Sequence, residues 1–164
     1  EAARTTTNLS TELDKRHDIE ERERVAVRNM NNQNLTTEER SLAKSDASML
    51  GHEKNRATRK IQELYTSVDP ELARTRSQLN TKQQQYDAMD AKQRNSSQGK
   101  LLGSEIERLQ AKDSALVAQH EATDELRRAS KTGRGVDADG TLIADKVKNA
   151  REAVDTHRIY ERLQ

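Results

Sequence analysis

The sequence predicts an all-α fold: an elongated antiparallel helical hairpin or coiled-coil bundle of about four to five helices, with no β-sheet. Three observations lead there. Ala, Glu, Lys, Leu and Arg make up nearly half of the 164 residues, the composition of long helices and coiled coils. Proline occurs once and glycine six times, so little interrupts a helix. Leu, Ile, Val and Phe supply about one residue in six, below the ~20% at which apolar burial normally outweighs chain entropy. A broad globular core is therefore not expected, and helix must pack on helix along narrow seams.

The same composition removes several function classes. Cysteine, phenylalanine and tryptophan are absent and there are three tyrosines. No disulfide framework, thiolate nucleophile or thiolate metal site can form, and an aromatic-lined catalytic cleft is not expected. Twenty-nine basic residues meet 28 acidic ones, and the balance holds along the chain. Nucleic-acid binders concentrate positive charge on one face or tail, so nucleic acid is not an expected partner. Near-neutrality also argues against disorder, which pairs low hydrophobicity with high net charge. Mean hydropathy is −1.12 and no apolar run approaches the ~18 residues of a membrane span. Residues 1–10, EAARTTTNLS, lack the apolar stretch of a signal peptide. The segment is expected to be soluble and not to insert into a membrane. Lacking an initiator Met, it is expected to be part of a longer chain.

Four regions follow: an N-terminal helix with an Asn-rich turn (1–34), a coiled-coil hairpin core (35–131), a Gly-rich linker (132–140) and a C-terminal helix (141–164). The first helix, over 10–30, has acid–base pairs one turn apart (Glu12/Arg16, Asp18/Arg22, Glu20/Arg24). Its Leu13, Ile19, Val25 and Val27 share no single stripe, and it ends in the turn-forming NMNNQN of 29–34. Thr36-Thr37-Glu38-Glu39 opens the second helix with a capping box. There Leu35, Leu42 and Met49 recur every seven residues. A second set, Leu50, Ala57, Ile61, Leu64 and Val68, follows, which predicts a phase slip near Gly51.

Asp69-Pro70-Glu71 has the cap, first-turn proline and acid of a new helix. The third helix, over 70–95, places Leu72, Leu79 and Tyr86 seven apart, with Thr75 and Lys82 completing a thin stripe. After the polar stretch 95–100, Ser104 and Glu107 predict a capping box for the fourth helix. Its Leu102, Ile106, Leu109, Asp113, Leu116, His120 and Thr123 step alternately by four and three, the cleanest heptad in the chain. The polar pair inside that seam, Asp113 and His120, is the kind that sets register, and a seam histidine could make assembly acid-sensitive. The last helix carries Ile143, Val147, Ala150, Val154 and His157 on one face.

Chemistry-bearing motifs are weak. Asp137-Ala138-Asp139-Gly140-Thr141-Leu142 has the residue order of an aspartate phosphotransfer motif, but SKTGRG before it cannot form the required buried strand. As a calcium loop it would have Lys146 in place of the bidentate acid. His120-Glu121-Ala122-Thr123-Asp124 has zinc-helix spacing without a third ligand. Arg127, Arg128, Lys131 and Arg134 form the one basic cluster, a candidate anion contact, and Arg-Arg-Ala-Ser (127–130) suits a basophilic kinase. Cations are expected near a helix C-terminus in any case. No catalytic, metal or cofactor site is expected.

The expected function is a non-enzymatic structural or protein-binding coiled-coil module that meets a protein partner, or a second copy of itself, through helical faces. Its interface residues would be Leu64, Leu72, Leu79, Tyr86, Leu102, Ile106, Leu109, Leu116 and His120. Two alternatives are an assembly or delivery factor, like the helical regions of toxins and secretion systems, and a linker that folds on binding. Leu109→Asp places a charge in the best seam and is expected to cost helicity or assembly, read by far-UV circular dichroism and sedimentation.

Overall fold

The computed structural model describes residues 2–133, 135 and 142–163, with all their side chains except those of 2, 3, 5–7, 131 and 132. Among these residues the chain is all α, with six helices and no strand: α1 (Ala2–Met30), α2 (Thr37–Val68), α3 (Pro70–Asp87), α4 (Ala91–Arg94), α5 (Ser97–Thr132) and α6 (Ile143–Arg162). They form two compact units that divide at the Val68–Asp69 bond. The expected core segment 35–131 is thus shared between the units. Arg134, residues 136–141, and with them most of the Gly-rich linker and the Asp137–Leu142 motif, lie outside the described residues.

In the first unit α1 packs on α2. The connection is built from side-chain acceptors. Asn34 N–H donates to Asn32 Oδ1 (3.0 Å), an Asx turn. Glu39 N–H donates to Thr36 Oγ1 (3.1 Å) while Thr36 N–H donates to Glu39 Oε1 (3.3 Å), the predicted capping box. The seam is Ile19 and Ala26 of α1 against Leu50 and Ala57 of α2, with Ala47 beside it. Lys54 Nζ reaches Glu23 Oε1 at 2.8 Å, and Lys60 Nζ lies 3.2 Å from Glu12 Oε1. Rising numbers on one helix meet falling numbers on the other, so the pair runs antiparallel.

Two sequence expectations are corrected here. α1 does have a single buried face, Leu13, Ile19 and Ala26, while Val25 and Val27 are exposed; an alanine, not a valine, completes the stripe. In α2 the buried stripe is Ala43, Leu50, Ala57, Ile61 and Tyr65, continuous through Gly51 without a phase slip. Leu42 and Met49 are 68% and 54% exposed. Small alanines let the helices approach closely on that face, so the larger residues of the competing heptad turn outward.

The second unit is arranged around α5, which packs against α3 and against α6. Asp69 caps α3 in the extended conformation required before proline (φ −122°, ψ 99°). Its Oδ1 accepts from Glu71 N–H and Leu72 N–H at 3.0 and 3.3 Å. α3 stops at Asp87 rather than near 95 because a second start signal intervenes. Asp90 and Gln93 exchange hydrogen bonds in a capping box for the single turn α4. Arg94 donates to the Tyr86 and Asp87 carbonyls that end α3. Ser96 then caps α5 by accepting from Gly99 N–H (3.2 Å), so α5 begins two turns before Ser104. It ends where Gly133 takes φ +73° and donates to the Ala129 carbonyl, a left-handed cap suited to glycine. Leu72, Thr75, Leu102, Ile106, Leu109, Lys112, Leu116, Ala122, Ile143, Val147 and Val154 are buried. Thr75 satisfies its hydroxyl on the Glu71 carbonyl at 2.8 Å.

Gly99 and Gly103, one turn apart on α5, should respond oppositely to alanine. A Cβ on Gly99 would lie 2.3 Å from the Gln93 carbonyl oxygen and 2.5 Å from that of Arg94, whereas on Gly103 its nearest neighbour is the Tyr86 ring at 3.8 Å. Gly99→Ala is expected to destabilise by about 1–3 kcal/mol through overpacking. Gly103→Ala should stabilise by roughly 0.5–1 kcal/mol through helix propensity. Urea unfolding of the two variants measures both.

Candidate functional site

Of the predicted seam residues, Leu72, Leu102, Ile106, Leu109 and Leu116 are buried, while Leu64, Leu79, Tyr86 and His120 are half-buried. Leu64 gives way to Tyr65, which is 1% exposed; the α2 stripe rotates by one residue at its end. Tyr65 is thus a core residue of the first unit.

The polar seam residues have defined partners. Arg76 grips Asp113 with two parallel bonds, Nε to Oδ2 at 2.8 Å and Nη2 to Oδ1 at 3.3 Å, the strong forked geometry of a guanidinium on a carboxylate. His120 Nε2 lies 2.7 Å from Asp69 Oδ2. The ionised carboxylate can only accept, so the imidazole nitrogen donates. Lys82 Nζ pairs with Glu105 Oε2. These three pairs run down the α3–α5 contact at roughly heptad intervals and fix it as antiparallel.

A second ionic group joins all three long helices of this unit. Glu71 of α3 receives Arg158 of α6, with Nη2 to Oε1 at 2.7 Å and Nε to both oxygens at 3.1 and 3.2 Å. Lys112 of α5, 6% exposed, places Nζ 3.6 Å from Glu71 Oε2 and also bonds Glu161 of α6. Arg158 Nη1 donates to Asp155 Oδ1 at 3.1 Å. Sequence reasoning read Glu71 only as a favourable helix-start acid and passed over Lys112, Arg158 and Glu161. The available signal was charge beside the seam; their pairing, across up to 87 residues, has no local trace.

Electrostatics follow the geometry. The Arg158 hydrogen bond holds the Glu71 carboxyl below its ordinary value; burial opposes this, and the charges of Arg158 and Lys112 add to it. Reciprocally, the Glu71 bond raises Arg158. Burial pushes Asp69 up, but the His120 hydrogen bond, the Leu72 and Glu71 amides and the His120 charge together outweigh it, and its pKa ends lowered.

In the basic cluster, Arg127 Nη2 and Arg128 Nε both bond Asp124, at 2.6 and 3.0 Å, so one carboxylate offsets part of the cluster's charge. The Lys131 side chain and Arg134 lie outside the described residues. His120 and Asp124, the suggested zinc-helix pair, are engaged with different partners. Among the described residues no three His, Cys, Asp or Glu side chains gather as a metal site, and no helix is long and apolar enough to cross a membrane. Two open hollows flank α5. One, about 400 Å³, lies against α3 beside the Arg76–Asp113 pair. The other, about 350 Å³, lies against α6.

No protein-family model, curated protein or solved structure matches the chain.

Both lowered carboxyls carry stability that is complete above their unfolded values, 3.8 for Asp69 and 4.5 for Glu71, and is lost as pH falls through the lower folded values. The melting temperature should therefore decline from about pH 4.5 downward. Glu71→Gln should melt below the wild type at pH 7, with the gap narrowing as pH falls below the unfolded value of 4.5 and the wild-type carboxyl protonates. Thermal denaturation across that range reads both effects.

Proposed function

We propose that the chain is a non-enzymatic structural or protein-binding module, in which each unit is a rod of antiparallel, coiled-coil-like helices that spaces neighbouring parts or presents a helical face to a protein partner. One observation carries this reading: the charged side chains at the helix contacts are spent on one another. Asp69, Glu71, Arg76, Lys82, Glu105, Lys112, Asp113, His120 and Arg158 are all engaged across helices. Such pairs orient helices rather than holding an acid or base ready for chemistry.

What remains for recognition is the outward apolar set. Leu42 and Met49 on α2, Leu101 on α5, Ile159 and Tyr160 on α6, and Leu163 just after it are all more than half exposed. Rods with thin seams gain burial by association, so self-assembly belongs to the same proposal. Sedimentation velocity and far-UV circular dichroism on the full chain test it. A helical dimer or trimer is the expected result, and an unstructured monomer would overturn it in favour of a linker that folds on its partner.

A further inference from the structure

Ser130 is the one serine or threonine in the sequence with arginine both two and three positions before it. Ser77 and Ser97 have an arginine three positions before them, Arg74 and Arg94, but no cation at the second position. The structure places Ser130 in the last turn of α5, exposed, with the exposed Arg127 one turn earlier and the half-buried Arg128 beside it. Between 121 and 130 only Ala122 is buried, so the motif lies on the surface and not in a helix seam.

Position in the helix decides whether the motif can be read. A serine kinase draws a few residues of its substrate into an extended path, which a helix must open to supply. Helix ends open at almost no cost. Ser130 stands three residues before Gly133, which closes α5 at φ +73° by donating to the Ala129 carbonyl at 2.8 Å. Ser77, by contrast, lies in the middle of α3. Asp124 holds both Arg127 and Arg128, at 2.6 and 3.0 Å. It is one carboxylate shared by two cations, and an acidic groove that offers each arginine its own carboxylate can displace it.

We propose that Ser130 is a phosphorylation site for an arginine-directed serine kinase, and that the phosphate undoes the last turn of α5. In the transfer, Ser130 Oγ bonds to the γ-phosphorus of Mg-ATP and the bond to the β-phosphate oxygen breaks. ADP leaves, and the hydroxyl proton passes to the catalytic aspartate of the kinase. The product sets about two negative charges at the negative end of the helix dipole. Arg127 can turn to the phosphate only by loosening its hold on Asp124. Repulsion between the dianion and the last carbonyls therefore frays the Gly133 cap. The inference goes beyond the protein-binding reading and does not depend on it.

The test treats the folded full chain with Mg-ATP and the catalytic subunit of cyclic-AMP-dependent protein kinase, and maps phosphate by tandem mass spectrometry. One phosphate, on Ser130, is the expected product. Its initial rate should lie within about tenfold of that for a free peptide spanning 124–135, because opening a helix end costs little. Arg127→Gln and Arg128→Gln should each slow it about tenfold, as for loss of one charge-assisted contact, and Ser130→Ala should abolish it. Circular dichroism confirms that each variant keeps its helicity. In the isotope-labelled chain, phosphorylation should move amides 127–133 toward random-coil shifts and leave α1 and α2 unchanged. Phosphate on another residue, equal labelling of Ser130→Ala, or a folded chain slower than the peptide by more than that margin would overturn the site. A phosphorylated chain whose amides at 127–133 keep their helical shifts would overturn the switch.

Discussion

Register is the constraint on which the second unit depends. A leucine or isoleucine every turn or two brings α3 and α5 together but tolerates sliding, since one aliphatic contact resembles the next. The ionic pairs do not tolerate it. In the observed alignment Asp69 faces His120, Arg76 faces Asp113 and Lys82 faces Glu105. A slide of one heptad in one direction sets Asp69 opposite Asp113 and Arg76 opposite Ile106; in the other it sets Lys82 opposite Lys112. Each alternative opposes like charges or strands a cation on an aliphatic side chain. Individually such pairs contribute at most about 1 kcal/mol when exposed, so their value lies in excluding the wrong alignments.

The same logic extends to α6. Lys112 is an uncommon buried lysine, and an unpaired ammonium at that depth would be strongly unfavourable. Glu71 from one neighbour and Glu161 from the other make it tolerable. The three helices thereby depend on one another: removing α3 or α6 would leave a charge behind on α5. Val154 and Leu72, both fully buried, supply apolar contact on the α6 and α3 sides. Since α5 serves two neighbours, Glu105, Lys112 and Asp113 are each committed across a helix contact.

Much of the local structure was legible in the chain. The Thr36–Glu39 box, the Asp69-Pro70 start and the 102–116 heptad stand where their residues suggest, because each rests on contacts within one or two turns. The errors have a common origin. Leu35, Leu42 and Met49 form a valid heptad, yet spacing of seven describes any face of a helix, and Ala43, Leu50 and Ala57 satisfy it equally. Alanine favours helix wherever it stands, so Ala26 and Ala43 gave no sign of facing inward. Ser104 and Glu107 have capping-box spacing inside a helix that Ser96 had already begun. At the candidate site, Glu71, Lys112 and Arg158 could not be associated from sequence, because none shares a motif or periodicity with the others.

By itself, then, the amino-acid order determined the helical state, the starts of α2, α3 and α6 and the absence of thiol and broad-core chemistry, since caps, prolines and propensities act over a few residues. Only the tertiary structure decided which of two equivalent stripes turns inward and which acid meets which base. Those outcomes depend on pairing between segments tens of residues apart, where the energies of competing alignments differ through contacts that no local pattern encodes.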